Sequence, residues 1–203
     1  MKIIGITGGI ASGKSTVGVM LRRLQAAVVE ADALYHGLLE PQGGAPSPLG
    51  EEIAAAFPGV LTQRGTIDRA VLGAEVFAQP QKRRHLEAIT HPAVAQAFAQ
   101  QAENLRRTGA ALIYYDVPLL FERGLEEKLQ GVVVVWVPRP VQLRRLMHRD
   151  RLDGAKARQK LDAQMPLDEK RARADWIIDN SDGRENTQRQ VTTLHETLLL
   201  GTA

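Results

Sequence analysis

The sequence predicts an α/β protein, a three-layer fold around a five-stranded parallel sheet. Three observations predict it. Five short apolar runs rich in β-branched residues alternate with stretches of helical period, as parallel strands joined by crossover helices do. The clearest run, Val132 to Val137, is apolar on both faces, which fits a sheet covered on both sides. A glycine-rich segment, Gly8 to Ser15, stands between the first run and the first helical stretch.

The elements follow in order. Lys2 to Thr7, with Ile3, Ile4 and Ile6, reads as a buried strand. A helix is expected from about Lys14 to Leu24, because Val17, Met20, Leu21 and Leu24 fall on one face. Ala27 to Val29 is a second strand, ending at Glu30-Ala31-Asp32. Pro41 to Pro48 is a loop, since Gly and Pro interrupt both regular structures. Residues 51–108 read as mostly helical, with breaks near Pro58-Gly59, Arg64-Gly65 and His91-Pro92. Ala110 to Tyr115 is the third strand, ending at Asp116, and Val132 to Val137 is the fourth. Residues 140–174 are again helical, Trp176 to Ile178 is a short fifth strand, and Val191, Leu194 and Leu198 mark a last amphipathic helix.

Composition narrows the chemistry. With 203 residues, one domain is expected, large enough to bury a core without disulfide staples. There is no cysteine, so a disulfide framework, a thiol nucleophile and a thiolate metal site are excluded. The six apolar residues from Val132 to Val137 fall far short of the ~20 that a membrane span needs. The N-terminal apolar run is too short for a signal peptide, so the expected compartment is the cytoplasm. Charge is uneven: residues 139–173 hold eleven basic and five acidic side chains, a net of +6 that leaves −3 elsewhere within a total of +3. Such a window suits a polyphosphate ligand or a solvated helical surface. Aromatic residues make up only 4%, too few to stack bases, so nucleic acid is not expected as a partner.

The segment Gly8-Gly9-Ile10-Ala11-Ser12-Gly13-Lys14-Ser15 fits the pattern G-x-x-x-x-G-K-[ST] in its required place between strand and helix. Glycines let backbone N–H groups turn onto phosphate oxygens, and the helix that follows aims its positive end at the same anion. Lys14 can reach the outer phosphates, and the Ser15 hydroxyl can ligate Mg²⁺. The chain has no Asn-Lys-x-Asp motif for reading guanine, and its length leaves little room for motor modules. A kinase of a small substrate is the leading class, and a nucleotide-binding regulatory module the non-enzymatic alternative.

In an open parallel sheet, ligands bind beyond the C-terminal ends of the strands. Asp32 and Asp116 lie at two such ends. Phosphoryl transfer needs a carboxylate to orient the acceptor hydroxyl and take its proton, and acidic help around the metal. Asp32 is the candidate base and Asp116 the candidate for the metal's outer shell; both also read as loop or helix-capping acids.

These residues together resemble the dephospho-coenzyme A kinase family. The resemblance rests on Gly5 to Thr16, Glu30-Ala31-Asp32, His91-Pro92, Asp116-Val117-Pro118-Leu119-Leu120-Phe121-Glu122, Gln142 with Arg145 and Arg149-Asp150, and Ala174-Asp175 with Ile178 and Asn180. It runs in order from about residue 3 to 200. It implies a P-loop NTPase fold with a core of about 1–37, 109–138 and 174–203, a helical substrate-binding part of about 38–108, and a helical lid of about 139–173. It implies ATP-dependent phosphorylation of the ribose 3′-hydroxyl of dephospho-coenzyme A, with ATP as co-substrate and Mg²⁺; a P-loop kinase of another small nucleotide or hydroxyl substrate is the alternative. Asp32, Lys14 and Arg149 would then be catalytic. Gly8 through Thr16, Arg145 and Asn180 would hold ATP, while His91, Pro118, Leu119 and Leu120 would meet the substrate. Asn180 also reads as a cap of the last helix, His91 as structural, and Arg149 as a surface partner of Asp150 or Asp153. The family's Asp-Ala-Asp is Glu30-Ala31-Asp32 here, which keeps the final acid.

Overall fold

A computed structural model describes residues 1–201. The chain runs β1 (Lys2–Gly8), α1 (Lys14–Arg23), β2 (Ala27–Glu30), α2 (Ala31–Leu38), α3 (Pro48–Ala56), α4 (Arg69–Ala78) and α5 (Pro80–Arg107). It continues through β3 (Leu112–Asp116), β4 (Val132–Trp136), α6 (Arg139–Asp150), α7 (Gly154–Asp162), α8 (Leu167–Ala172), β5 (Trp176–Asp179) and α9 (Arg184–Leu200). It divides into two compact units, one of Met1–Val29 with Leu105 onward, the other of Glu30–Asn104.

The first unit carries the five-stranded sheet, in the order β2-β3-β1-β4-β5. The pairings of β1 with β3, β1 with β4 and β4 with β5 are parallel. On one face, Ile4 and Ile6 of β1, Tyr114 of β3 and Val133 and Val135 of β4 pack against Val17, Met20 and Leu21 of α1 and Val191 and Leu198 of α9. The period-2 alternation of the strands meets the i, i+3, i+4 stripe of the helices there, and each fully buried Val or Leu contributes about 1.5–3 kcal/mol. Val132 lies toward the other face, where an added Cβ on Gly5 would meet Leu120, Leu129 and Val132.

The register fixes the site. Ile6 of β1 stands opposite Asp116 of β3, and Val117 N–H donates to Ile6 O at 2.9 Å. Asp116 therefore flanks the last residues of β1, where the glycine-rich loop begins.

The second unit is helical. Leu39, Leu49, Ile53, Phe57, Val60, Ile67 and Leu72 form its core. Ser47 caps α3 by accepting from Gly50 N–H at 3.0 Å, with Pro48 in the first turn, where its missing N–H costs nothing.

Asp32 lies beyond the end of β2, as expected, and because α2 starts at Ala31 it stands in that helix's first turn. One expectation needs correction. His91-Pro92 was expected to break the helix, yet α5 runs through Pro92 for 28 residues. Leu86 and Ile89 before the proline and Ala93 after it all pack on the second unit's core, and that anchoring outweighs the lost backbone bond. Residues 140–174 form three short helices, separated at Arg151, whose φ is 53°, and near Pro166. Among the described residues, no helix is long and apolar enough to cross a membrane.

Candidate active site

The loop from Gly8 to Ser15 joins the end of β1 to α1. Its backbone turns through the left-handed region at Ala11 (φ 60°) and Gly13 (φ 93°). Gly13 has a second reason to be glycine: a Cβ there would stand 2.0 Å from Asn180 Nδ2. At Gly9 a Cβ would stand 2.4 Å from Gln142 Nε2. Ser12 N–H donates to Gly9 O at 3.0 Å, so the loop closes on itself. The N–H groups of Ala11, Gly13, Lys14 and Ser15 take no acceptor among the described residues. Together with the N-terminus of α1 they form a cradle for an anion. The Ser12 hydroxyl of the same loop is buried and has no partner among the described residues.

Lys14 pairs with Asp116 across the mouth of the loop. The lysine side chain keeps some exposure, while the carboxylate is nearly buried. Ser15 is exposed in the first turn of α1, with its hydroxyl making no bond to a described residue. That hydroxyl, on the residue after the lysine that pairs with Asp116 and at the edge of the anion cradle, fits a hard, oxygen-seeking divalent cation such as Mg²⁺.

The basic segment grips the loop with neutral side chains. Gln142 of α6 donates from Nε2 to Ile10 O at 2.8 Å, and Gln164, after α7, accepts from Ile10 N–H at 2.9 Å. Ile10 and Ala11 pack their side chains on a small core of Leu146, Ala157 and Leu161. From the other side, Asn180 donates from Nδ2 to Ser12 O at 2.8 Å and accepts from the Thr187 hydroxyl at 2.9 Å. Arg145 donates to Asn180 O at 2.9 Å and lies near Gly13. Asn180 thus braces the loop and the first turn of α9; the N-cap position of that helix belongs to Gly183.

Arg149 goes elsewhere. At the last turn of α6 it pairs with Asp150 at 2.8 Å, and Lys160 reaches the same carboxylate at 3.0 Å. The Arg149 and Lys160 hydrogen bonds hold the Asp150 carboxyl down to about 2. The structure thus brings Arg145 to the phosphate loop and pairs Arg149 with Asp150.

The segment after β3 is a structural hub. Pro118 O accepts from the Thr7 hydroxyl and from the Lys170 ammonium, each at 3.0 Å. Lys170 of α8 has no exposed surface and pairs with Glu122 at 2.8 Å. Pro118 and Leu119 are half-buried, whereas Leu120 is wholly buried in the first unit. The Arg171 guanidinium stacks 4.3 Å from the Trp136 ring centre, and that of Arg173 lies 4.6 Å from that of Phe121. Several cations of the 139–173 window therefore fasten α8 to the sheet and its loops. Asp32 and His91 belong to the second unit: Asp32 is exposed on α2, and His91 is half-buried within α5.

Sequence reading gave no role to Gln142, Gln164, Glu122 or Lys170. Gln142 and Glu122 do stand within the segments that carry the family resemblance, a signal that could have singled them out. Gln164 and Lys170 carry none, because an amide that bonds a backbone 154 residues away has no local pattern.

A five-stranded parallel sheet, helices around it, and an anion cradle with a lysine at the C-terminal end of its central strand define a P-loop kinase of the α/β class. The model of the dephospho-CoA kinase family matches residues 2–186. The dephospho-CoA kinase of Anaeromyxobacter dehalogenans is 52% identical over 186 residues, which cover 91% of this chain and 86% of that protein. Among solved structures, TT1252 from Thermus thermophilus is 36% identical with a TM-score of 0.83, covering 98% of this chain and 97% of that one. Dephospho-CoA kinase from Campylobacter jejuni is 29% identical with a TM-score of 0.73, covering 99% and 98%. The chain belongs to the dephospho-CoA kinase family. ATP as co-substrate comes with that family and fold.

Proposed function

We propose that this chain transfers the γ-phosphoryl group of ATP to the ribose 3′-hydroxyl of dephospho-coenzyme A, giving coenzyme A and ADP in the cytoplasm. The observation that carries the reading is the family match along almost the whole chain, on a fold whose phosphate loop is intact. The cradle N–H groups and Lys14 hold the triphosphate, and Lys14 offsets charge that builds on the phosphoryl oxygens. Arg145, beside Gly13, adds a guanidinium at the same anion. The Ser15 hydroxyl would hold Mg²⁺, with Asp116 in the outer shell, and the ion would supply charge neutralisation for the phosphates. Asp32 orients the ribose hydroxyl and accepts its proton as the P–O bond forms. The 30–104 unit takes the acceptor, with His91 on it, while Pro118 and Leu119 meet the acceptor from the β3 loop; Leu120 supports that loop from the core. The 139–173 segment acts as the lid, and Arg149 leaves Asp150 to meet the nucleotide when the lid closes.

An ADP-release assay with dephospho-coenzyme A, AMP, adenosine and pantetheine phosphate as acceptors tests this. Turnover should be fastest with dephospho-coenzyme A and should yield coenzyme A. Equal or faster turnover with AMP or adenosine would transfer the reading to another small acceptor.

A further inference from the structure

The second unit holds an arginine, Arg69, that meets a histidine rather than a carboxylate among the described residues. Arg69 is the first residue of α4, and its Nη1 lies 3.1 Å from Nε2 of His36 on α2. A guanidinium can only donate, so the ring nitrogen is the acceptor in this contact. Among the described residues, Arg69 makes no ion pair with a carboxylate, unlike Lys82, Arg139 and Arg173, which pair with Glu75, Asp162 and Glu126.

The neighbouring acid does not neutralise it. Asp68 spends its side chain on the helix, accepting from Ala70 N–H at 2.9 Å and Val71 N–H at 3.1 Å. Asp68 N–H in turn donates to Val60 O at 2.7 Å, and Ile67 is buried in the unit's core. The start of α4, and with it the origin of the Arg69 side chain, is therefore fixed from both directions.

His36 stands four residues after Asp32, so the two share one face of α2. The Arg69 guanidinium is thus tied to a residue that follows Asp32 by about one helical turn on the same face of α2. A ribonucleotide that offers its 3′-hydroxyl carries its 5′-phosphate across one furanose ring, so it presents an alcohol with an anion nearby. A carboxylate suits the hydroxyl, and a planar cation suits the phosphate oxygens, which it can bind two at a time.

We propose that Arg69, oriented by His36, binds the 5′-diphosphate of the acceptor nucleotide and so sets where its ribose lies on Asp32. The inference rests on the reading of the chain as a dephospho-coenzyme A kinase. Arg69 is the binding residue and His36 its positioning residue. The pair selects acceptors with an anionic 5′ group over plain nucleosides.

The test uses the intact protein at saturating ATP. Arg69→Ala should raise the KM for dephospho-coenzyme A about 10-fold or more, the loss expected for a charge-assisted hydrogen bond. The KM for ATP and the thermal midpoint should stay near wild type. Adenosine lacks the diphosphate, and its inhibition constant against dephospho-coenzyme A should change less than about twofold. His36→Ala should raise the acceptor KM by less than Arg69→Ala, and His36→Gln, which keeps an acceptor atom, should restore it. An unchanged KM for dephospho-coenzyme A in Arg69→Ala overturns the inference, and so does an adenosine constant that rises equally. A wild-type protein that fails to phosphorylate dephospho-coenzyme A fails earlier, at the reading on which the inference rests.

Discussion

Lys14 and Asp116 settle each other's charge at the mouth of the phosphate loop, and each matters to the other's removal. Lys14→Ala takes away the ammonium that we propose faces the transferring phosphoryl group, so turnover at saturating ATP should fall about 10²-fold or more. It also strips a nearly buried carboxylate of a cation, so the melting temperature should fall too. Adding Asp116→Asn should recover the melting temperature and leave turnover low; near-normal turnover in Lys14→Ala would remove the loop from the mechanism. Asp32→Asn keeps size and much of the hydrogen bonding but loses charge and basicity. Its single-turnover phosphoryl transfer should slow by about 10²-fold or more with little change in ATP affinity. Transfer at the wild-type rate would pass the role of base to Glu30 or Asp116.

Between elements, the grip of α6 and the α7–α8 turn on Ile10 is the most consequential contact. Gln142 and Gln164 satisfy both backbone groups of that residue and so hold the tip of the loop in one conformation. Gln164→Leu removes the acceptor and leaves Ile10 N–H unpaired. The KM for ATP should rise about 10-fold, more than kcat falls, because a loosened cradle has to be ordered by the nucleotide. Steady-state kinetics at varied ATP would read this, and an unchanged KM would show that the apolar contacts of Ile10 and Ala11 suffice. How far these elements are legible in the sequence follows from how local their causes are. The strands read well, because runs such as Val132 to Val135 carry their own β-branched signal. The phosphate loop reads well because its glycines, lysine and serine are contiguous. The N-terminus of α2 hides behind a strand that ends one residue earlier, and α5 ignores Pro92 because its packing partners lie outside it. Of the side chains that hold the loop from a distance, Gln142, Arg145 and Asn180 are legible only through the family resemblance and Gln164 not at all, since only the fold brings them there.

The core of the whole sheet-bearing unit contains a titratable pair. Tyr114 of β3 and His195 of α9 are buried together, with the phenol oxygen 3.1 Å from Nδ1. Burial lowers the His195 pKa below its ordinary value near 6.5, while Glu196 pulls weakly the other way. The unfolded chain therefore binds this proton more readily than the folded one. Its contribution to stability is complete above about pH 6.5 and is lost as pH falls through the folded value. Melting temperatures between pH 5 and 7.5 should decline toward the acid end, and His195→Gln should flatten that decline; identical slopes would assign it to other groups. Lys170 has a different use at this scale. It is one of seven lysines, and its amine has no exposed surface. An acylating reagent should leave it untouched while the protein is folded and label the exposed amines freely. Label on Lys170 would then count only those molecules whose sheet and α8 have come apart, making one side chain a clock for the rare opening of the native state.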